Sequence, residues 1–276
     1  MRPVFTFASL SLVAAVTANA DMVVSQQNFS NLNVGNLASD TTGVTAGQGG
    51  WYIYGSPASY AQVVSDPSAG IHNGGQVLQT QAATSGTSTR FTWNDDVANT
   101  MGSNPAENNV FNMTYDFYMG GASSTSTNRY GNYLYDAAGT KILAGVTMQN
   151  NTGQFYLLSN YNNAGTIGNF SFSTGTSGIL ARNTWYTFQY TFNSTTGRTT
   201  AGFSSDGGVN FTSFYVDGAA AGTLADEYDL IGSVNSGTAA QGTTLGFYDN
   251  INAYTTPAPG AIALLGLAGL VGRRRR

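Results

Sequence analysis

Between Val110 and Met119 the chain reads VFNMTYDFYM, with Phe111, Met113, Tyr115, Phe117 and Met119 separated by Asn112, Thr114, Asp116 and Tyr118. A period of two places one face of a strand in a core and leaves the other to solvent. TWYTFQYTFN repeats the pattern, with Tyr186, Phe188, Tyr190 and Phe192 alternating with Thr187, Gln189 and Thr191. Shorter runs around QVLQT, TSTRFTW, TKILAGVTM, GQFYLL, NFTSFYV and TTLGFYDNI predict further strands. No long segment carries apolar residues at helical spacing, and there is no heptad or fixed-period repeat.

Turn chemistry separates the strands. Asn73-Gly74-Gly75, Gly120-Gly121, Thr152-Gly153, Asp206-Gly207-Gly208 and Asp217-Gly218 supply the positive φ that tight turns need. GGASSTSTN and SNYNNAGTIGNFSFSTGTSG are polar and small enough to read as surface loops. Many strands with frequent Gly turns and no helical punctuation predict an all-β fold, an antiparallel β-sandwich or jelly roll, spanning 21–256 as one domain.

The two ends break this pattern. Residues 1–20 hold Arg2, an apolar stretch from Val4 to Val16, and Ala18-Asn19-Ala20 as an A-x-A cleavage pattern, the layout of a secretory signal helix removed by signal peptidase. No Arg pair is present there, which favours the general secretory route. Residues 257–276 hold Pro257-Ala258-Pro259, an apolar segment from Gly260 to Gly272 that reads as a hydrophobic transmembrane helix, and Arg273, Arg274, Arg275 and Arg276. Four arginines stay cytoplasmic and leave the preceding domain outside. The apolar run is somewhat short of the roughly 20 residues of a full span, which suits a transient hold better than a permanent anchor.

Setting the ends aside changes the charge. Arg90, Arg129, Arg182, Arg198 and Lys141 stand against all 14 acidic residues, so the domain carries a net charge of −9. Such a domain has no basic stripe for nucleic acid or anionic lipid. One histidine and no cysteine exclude zinc sites built on Cys or several His, a disulfide framework and a Cys nucleophile.

The closing stretch resembles the PEP-CTERM sorting signal: a Pro-Glu-Pro-like motif, a hydrophobic segment and a terminal Arg cluster. The departure is Ala258, where the family usually has Glu. The resemblance implies an exported bacterial envelope protein, an inner-membrane intermediate held by the tail, and an exosortase-like processing enzyme that passes the domain to the cell surface or extracellular matrix. The domain itself resembles the concanavalin A-like lectin/glucanase superfamily in its laminin-G-like form. The matching pieces are NFSNLNVGNL, GQGGW, YAQVVSDPSAGIHNGGQVLQT, NTWYTFQYTFN, FYVDG and GFYDNINAY. The interval from Trp185 to Tyr215-Val216-Asp217-Gly218 is long for that pattern, and an extra hairpin around Asp206-Gly207-Gly208 accounts for it.

Glucanases of this superfamily carry an E-x-D-x-x-E-like run on one strand. Glu227 and Asp229 imitate its first two positions, but Gly232 and Ser233 stand where the second Glu belongs, and Glu107 lies in a turn-like segment. Asp95 and Asp96 are adjacent and would face opposite ways on a strand. His72, in GIHNGG, has no G-x-S-x-G element nearby. No catalytic residue is assigned, and the expectation is a protein without hydrolase activity.

Binding chemistry is better represented. Asp249 is expected to share a face with Leu245, Phe247 and Ile251, where an ionised carboxylate needs a partner or a cation. Domains resembling this one often hold a structural calcium at such an Asp, and Gln27 and Asn28 would complete its oxygen shell. The alternative is an Asp at a bulge that accepts backbone N–H groups. Asp226, Glu227 and Asp229 form a weaker metal candidate that reads as a solvated acidic loop. For a glycan, which needs an aromatic platform beside polar groups, the candidates are Trp51, Tyr54, Trp93, Asn94, Asp95 and Tyr161, with Trp185 assigned to the core. The expectation is therefore a carbohydrate-binding or structural sandwich. Its alternatives are a divergent glycan hydrolase and a purely structural matrix subunit.

Overall fold

The computed structural model describes residues 21–68, 75–83, 89–94, 101, 108–121, 125–162, 166–173, 175–234 and 244–257. The signal helix with Ala18 and Ala20, the tail with Pro259 and Arg273 to Arg276, and His72, Asp95, Asp96 and Glu107 lie outside them. No helix among the described residues is long and apolar enough to cross a membrane.

The strands are β1 (Met22–Gln27), β2 (Gly35–Asn36), β3 (Tyr52–Tyr54), β4 (Ala61–Ser65), β5 (Gln76–Gln81), β6 (Arg90–Trp93), β7 (Val110–Gly120) and β8 (Arg129–Asp136). They continue with β9 (Ile142–Gln149), β10 (Phe155–Asn162), β11 (Thr166–Ser173), β12 (Trp185–Asn193), β13 (Arg198–Ser204), β14 (Thr212–Asp217), β15 (Ala225–Ser233) and β16 (Leu245–Thr256). A nine-stranded sheet runs β14-β13-β12-β7-β16-β5-β4-β2, with β1 also on β16, and a seven-stranded sheet runs β11-β10-β9-β8-β15-β6-β3. The pairings between strands are antiparallel, as the turn chemistry predicts.

The sheets face one another across a single core, and the alternation read from the sequence assigns their inner faces. Phe111, Met113, Tyr115, Phe117 and Met119 of β7, with Tyr186, Phe188, Tyr190 and Phe192 of β12, are all buried there. They meet Leu143, Val146, Met148, Phe155 and Leu157 of the smaller sheet, and the Phe155 and Phe188 rings lie 4.9 Å apart. Buried tyrosines tie the sheets together. Tyr115 of β7 donates its hydroxyl to the Val146 carbonyl (3.1 Å), and Tyr248 of β16 donates to the carbonyls of Gly131 and Ile231 (3.1 and 3.0 Å). In a chain without cysteine, these bonds satisfy buried polar groups and link the two sheets without a covalent tie.

Three expectations need correction. The stretch SNYNNAGTIGNFSFSTGTSG is not a loop: it supplies the end of β10 and all of β11, paired antiparallel from Tyr156↔Ser173 to Asn162↔Thr166. Its Gly and Asn content reads as turn chemistry, yet its backbone forms the edge of the seven-stranded sheet. Asp226, Glu227 and Asp229 are not a solvated acidic loop but part of β15, a central strand, where Asp229 is buried. Asp249 does not share a face with Ile251. A bulge between Asp249 and Asn252, with Asn250 at φ 48°, reverses the alternation. Leu245 and Phe247 therefore pack on the outer face of the nine-stranded sheet, while Ile251 and Ala253 enter the core.

Candidate functional site: an aromatic cleft on the seven-stranded sheet

The solvent side of β3, β6 and β8 carries aromatic rings at outward positions, and β15, between β6 and β8, adds Glu227 and Asp229. Tyr52 pairs with Trp93 and Tyr54 with Phe91 in register, and the inward neighbours Arg90 and Thr92 are buried. The Tyr52 and Trp93 rings stack at 5.5 Å and 15°; Tyr54 lies 6.3 Å from Phe91, and Phe91 lies 6.5 Å from Tyr135. Tyr54, Phe91, Trp93, Tyr135, Gly139, Glu227 and Asp229 line a cleft of about 260 Å³. Tyr54 is 53% exposed, so its ring is open to an incoming ligand.

Two turns hold this cleft in shape. Asp40 accepts the Thr42 hydroxyl (2.6 Å) and the N–H groups of Thr42, Val44 and Thr45 (2.9, 3.1 and 2.6 Å). Those bonds, the Thr42 hydroxyl first, keep its carboxyl well below the usual carboxylate range. The loop so fixed presses Gly43 against the Trp93 ring edge. At φ 77° a side chain would be strained, and its Cβ would stand 2.7 Å from Trp93 Cη2. On the opposite side, Asp136 accepts the N–H groups of Thr140 and Lys141 (3.0 and 3.1 Å), fixing the turn that carries Gly139.

The cleft is acidic. Burial pushes the Glu227 carboxyl up, and Asp226 beside it acts in the same direction. The Tyr135 phenol is pushed far up by burial and then by Asp229, Tyr133 and Glu227. It therefore stays protonated at neutral pH and serves as a hydrogen-bond donor or acceptor rather than a base. Among the described residues, no lysine or arginine lines the cleft. An anionic ligand would meet unfavourable charge, whereas a neutral hydroxyl-bearing one would find flat rings beside fixed acceptors.

The sequence-predicted residues separate. Tyr54 and Trp93 come together in the cleft. Trp51 does not: it is wholly buried against Phe29 at 5.5 Å. Asn94 donates its amide to the Gly49 carbonyl (2.9 Å), clipping the GQGGW turn to the end of β6. Tyr161 is not in a loop but on β10, where its hydroxyl donates to Asp136 Oδ2 (3.1 Å) and its ring packs against the core. Asp95 lies outside the described residues. Phe91, Tyr135 and Glu227 also line the cleft without standing among the predicted glycan candidates, although R-F-T-W, Y-L-Y and E-Y-D each place two of the lining side chains or their neighbours two residues apart on one face.

The calcium candidates also fall into place locally. Asp249 Oδ1 accepts the Asn250 N–H (2.8 Å) within the bulge, which is the alternative arrangement considered for this residue. Gln27 Oε1 accepts the Phe29 N–H (2.7 Å), and Asn28 Oδ1 accepts the Ser30 N–H (3.3 Å). Gln27 and Asn28 line a cavity of about 400 Å³ with Asn31, Asn250 and Asn252, and Asp249 is not in its wall. Among the described residues, no group of three or more His, Cys, Asp or Glu side chains is placed to hold a metal. Pro257 directly follows β16.

This architecture is an antiparallel β-sandwich of the jelly-roll type. The chain is similar to the crystal structure of alginate lyase vAL-1 from Chlorella virus, with a TM-score of 0.53 and 10% identity over 84% of this chain and 99% of that one. A weaker likeness links it to an endo-β-1,4-glucuronan lyase from the fungus Trichoderma reesei, with a TM-score of 0.49 and 14% identity over 75% of this chain and 92% of that one. No protein-family model matches the chain, and no curated protein matches it in sequence.

Proposed function

We propose that the chain is an exported, surface-sorted component of the cell envelope or extracellular matrix whose sandwich holds a neutral glycan without cleaving it. The observation that carries this reading is the open aromatic ledge of Tyr54, Phe91 and Trp93 beside Glu227 and Asp229. Sugar rings stack their C–H faces on such a ledge, and fixed acceptors orient their hydroxyls. Signal peptidase removes residues 1–20, and the tail 257–276 holds the chain in the inner membrane until an exosortase-like enzyme passes it to the surface. The motifs at the two ends of the sequence support that route.

Titration of the full chain against neutral and uronic-acid oligosaccharides tests the binding reading. Binding of neutral members, weakened by Trp93→Ala, supports it; a preference for uronic acids would sink it. Intact-mass measurement of the mature protein tests the route, because processing at both ends removes the first 20 residues and the arginine cluster.

One observation favours a second reading, a glycan hydrolase: Glu227 and Asp229 do lie in one cleft, with the Glu227 carboxyl held toward its acid form. Glycoside hydrolysis needs two carboxyls flanking the scissile bond, however, and on β15 Gly232 and Ser233 stand where the second Glu of the glucanase-like run belongs. Reducing-end release from a neutral polysaccharide, abolished by Glu227→Gln, would establish this reading in place of simple binding.

A further inference from the structure

The outer face of the nine-stranded sheet carries a cleft that the first site does not use. It has a volume of about 620 Å³, more than twice that of the Trp93 cleft. Its floor is Trp185 and Tyr118, whose rings lie 5.3 Å apart at 41°. The alternation of β12 places Trp185 opposite the core-facing Tyr186, so the ring is half-buried on the outside rather than in the core. Its indole N–H donates to Ser68 Oγ (3.1 Å), which fixes the ring plane.

Beside this floor stands Asp116, directly across the strand pair from Thr187. One carboxylate oxygen accepts the Thr187 hydroxyl (2.6 Å) and the other accepts the Asn250 amide (2.8 Å). The remaining wall is the turn between β13 and β14, which contributes Ser205 and Gly207. This turn carries Asp206-Gly207-Gly208, and its two strands pair antiparallel from Phe203↔Thr212 to Arg198↔Asp217. Asp206 makes it rigid by accepting the N–H groups of Asn210 and Val209 (2.9 and 3.1 Å), the Asn210 amide (2.7 Å) and the Ser204 hydroxyl (2.5 Å).

The chemistry of the walls selects the ligand. Hydroxyls, amides and one carboxylate surround a flat indole, and among the described residues no lysine or arginine lines the cleft. Phosphate, sulfate and uronate groups would have no counter-charge there, whereas a neutral sugar would find both a stacking surface and directed hydrogen-bond partners.

We propose that this cleft is a second neutral-glycan site, created by the β13–β14 hairpin, and that a chain with ligands on opposite faces of its sandwich cross-links two polysaccharide strands. The second site stands without the first; the cross-link rests on both. Linking two sites through one rigid body raises avidity for a polymeric ligand without any new contact.

The test titrates the full chain by calorimetry with neutral gluco-, manno- and galacto-hexasaccharides. The variants are Trp93→Ala, Trp185→Ala, Trp185→Phe and a chain whose residues 205–211 are replaced by an Asn-Gly turn. Melting curves confirm folding of each, and the Asn-Gly variant carries the test if the Trp185 variants fail to fold. Two sites per wild-type chain are expected, falling to one in Trp93→Ala, Trp185→Ala and the shortened hairpin, with weakened but retained binding in Trp185→Phe. Beads coated with the bound sugar should agglutinate with wild type and not with the single-site variants. A single wild-type site lost in Trp93→Ala and intact in the shortened hairpin overturns this proposal alone. A single site lost only in Trp185→Ala and the shortened hairpin upholds the site on the nine-stranded sheet and overturns both the first cleft and the cross-link. Absence of binding by the whole panel overturns both.

Discussion

The rings of Tyr52 and Trp93, paired in register on β3 and β6, lie 5.5 Å apart and 15° from parallel. The indole is thus held flat by a neighbour on one face and by the Asp40 loop along its edge before any ligand arrives. Such preorganisation spares a binding site the ordering cost of its own side chains. Trp93→Ala should weaken neutral-oligosaccharide binding at this cleft alone by at least about tenfold, or ~1.4 kcal/mol, enough to drop that site from the calorimetric isotherm. The ring is only half-buried, so the melting temperature should fall little; calorimetric titration and thermal melting check the two effects together.

Glu227 gives the cleft a pH signature. Its folded carboxyl lies above the ordinary value of 4.5 because burial, and then Asp226, disfavours the charged form. The ionised side chain therefore opposes folding at neutral pH, and the opposition fades as pH falls through the folded value and disappears below the unfolded one. Glu227→Gln should raise the melting temperature at pH 7, with the gain shrinking to nothing at about pH 3.5, below the ordinary glutamate value. A gain that persists unchanged into acid would contradict this account.

Tyr115→Phe removes a hydroxyl that bridges the sheets and leaves the Val146 carbonyl without that donor. The site is fully buried, so no water replaces the bond. The expected loss is about 1–3 kcal/mol of unfolding free energy, measured by urea titration. Burial also holds this phenol well above its ordinary value of 10.0. Stability contributed by the neutral phenol is present at neutral pH and is lost as pH rises through the unfolded value toward the folded one. The wild type should therefore lose more stability than Tyr115→Phe between pH 9 and pH 11, an interval set about the ordinary tyrosine value.

Calcium provides a fourth test. Asp249, Gln27 and Asn28 already accept backbone N–H groups, and Asp249 lies outside the cavity that the other two line. Melting temperature and glycan affinity should be the same in millimolar calcium and in chelator. A calcium-dependent rise of several degrees would assign these oxygens to a cation instead.

The strands most legible in the sequence are those with aromatic or aliphatic residues on one face only. In β7 and β12 the period of two gives the core directly, because the buried face is apolar and the other is largely polar. β6 reads ambiguously, since R-F-T-W suggests an inward Phe91 and Trp93. Instead, Arg90 turns inward, donating to the carbonyls of Gln81, Ala82 and Ser56, and leaves both rings outside. A hydrophobic scale cannot anticipate that exchange, because the partners that make a buried guanidinium tolerable come from distant segments. The same blindness places Trp51 among the binding candidates and Trp185 in the core, although the alternation of β12 already sets Trp185 opposite Tyr186. The face of Asp249 was hidden for a different reason: one inserted residue reverses every later position, and its local signal is the Asp-Asn pair, a type that tolerates φ above zero.

β16 lies at the middle of the nine-stranded sheet, with β7 along one side and β5 and then β1 along the other. It is also the last strand of the sandwich to leave the ribosome. Until residues 245–256 arrive, the first strand has no place to dock and the flanking halves of the larger sheet have no common seam. Closure of that sheet must therefore follow delivery of the whole sandwich rather than accompany it. A polypeptide ordered in this way keeps its larger sheet open along its length, and locks only once the final described strand is complete.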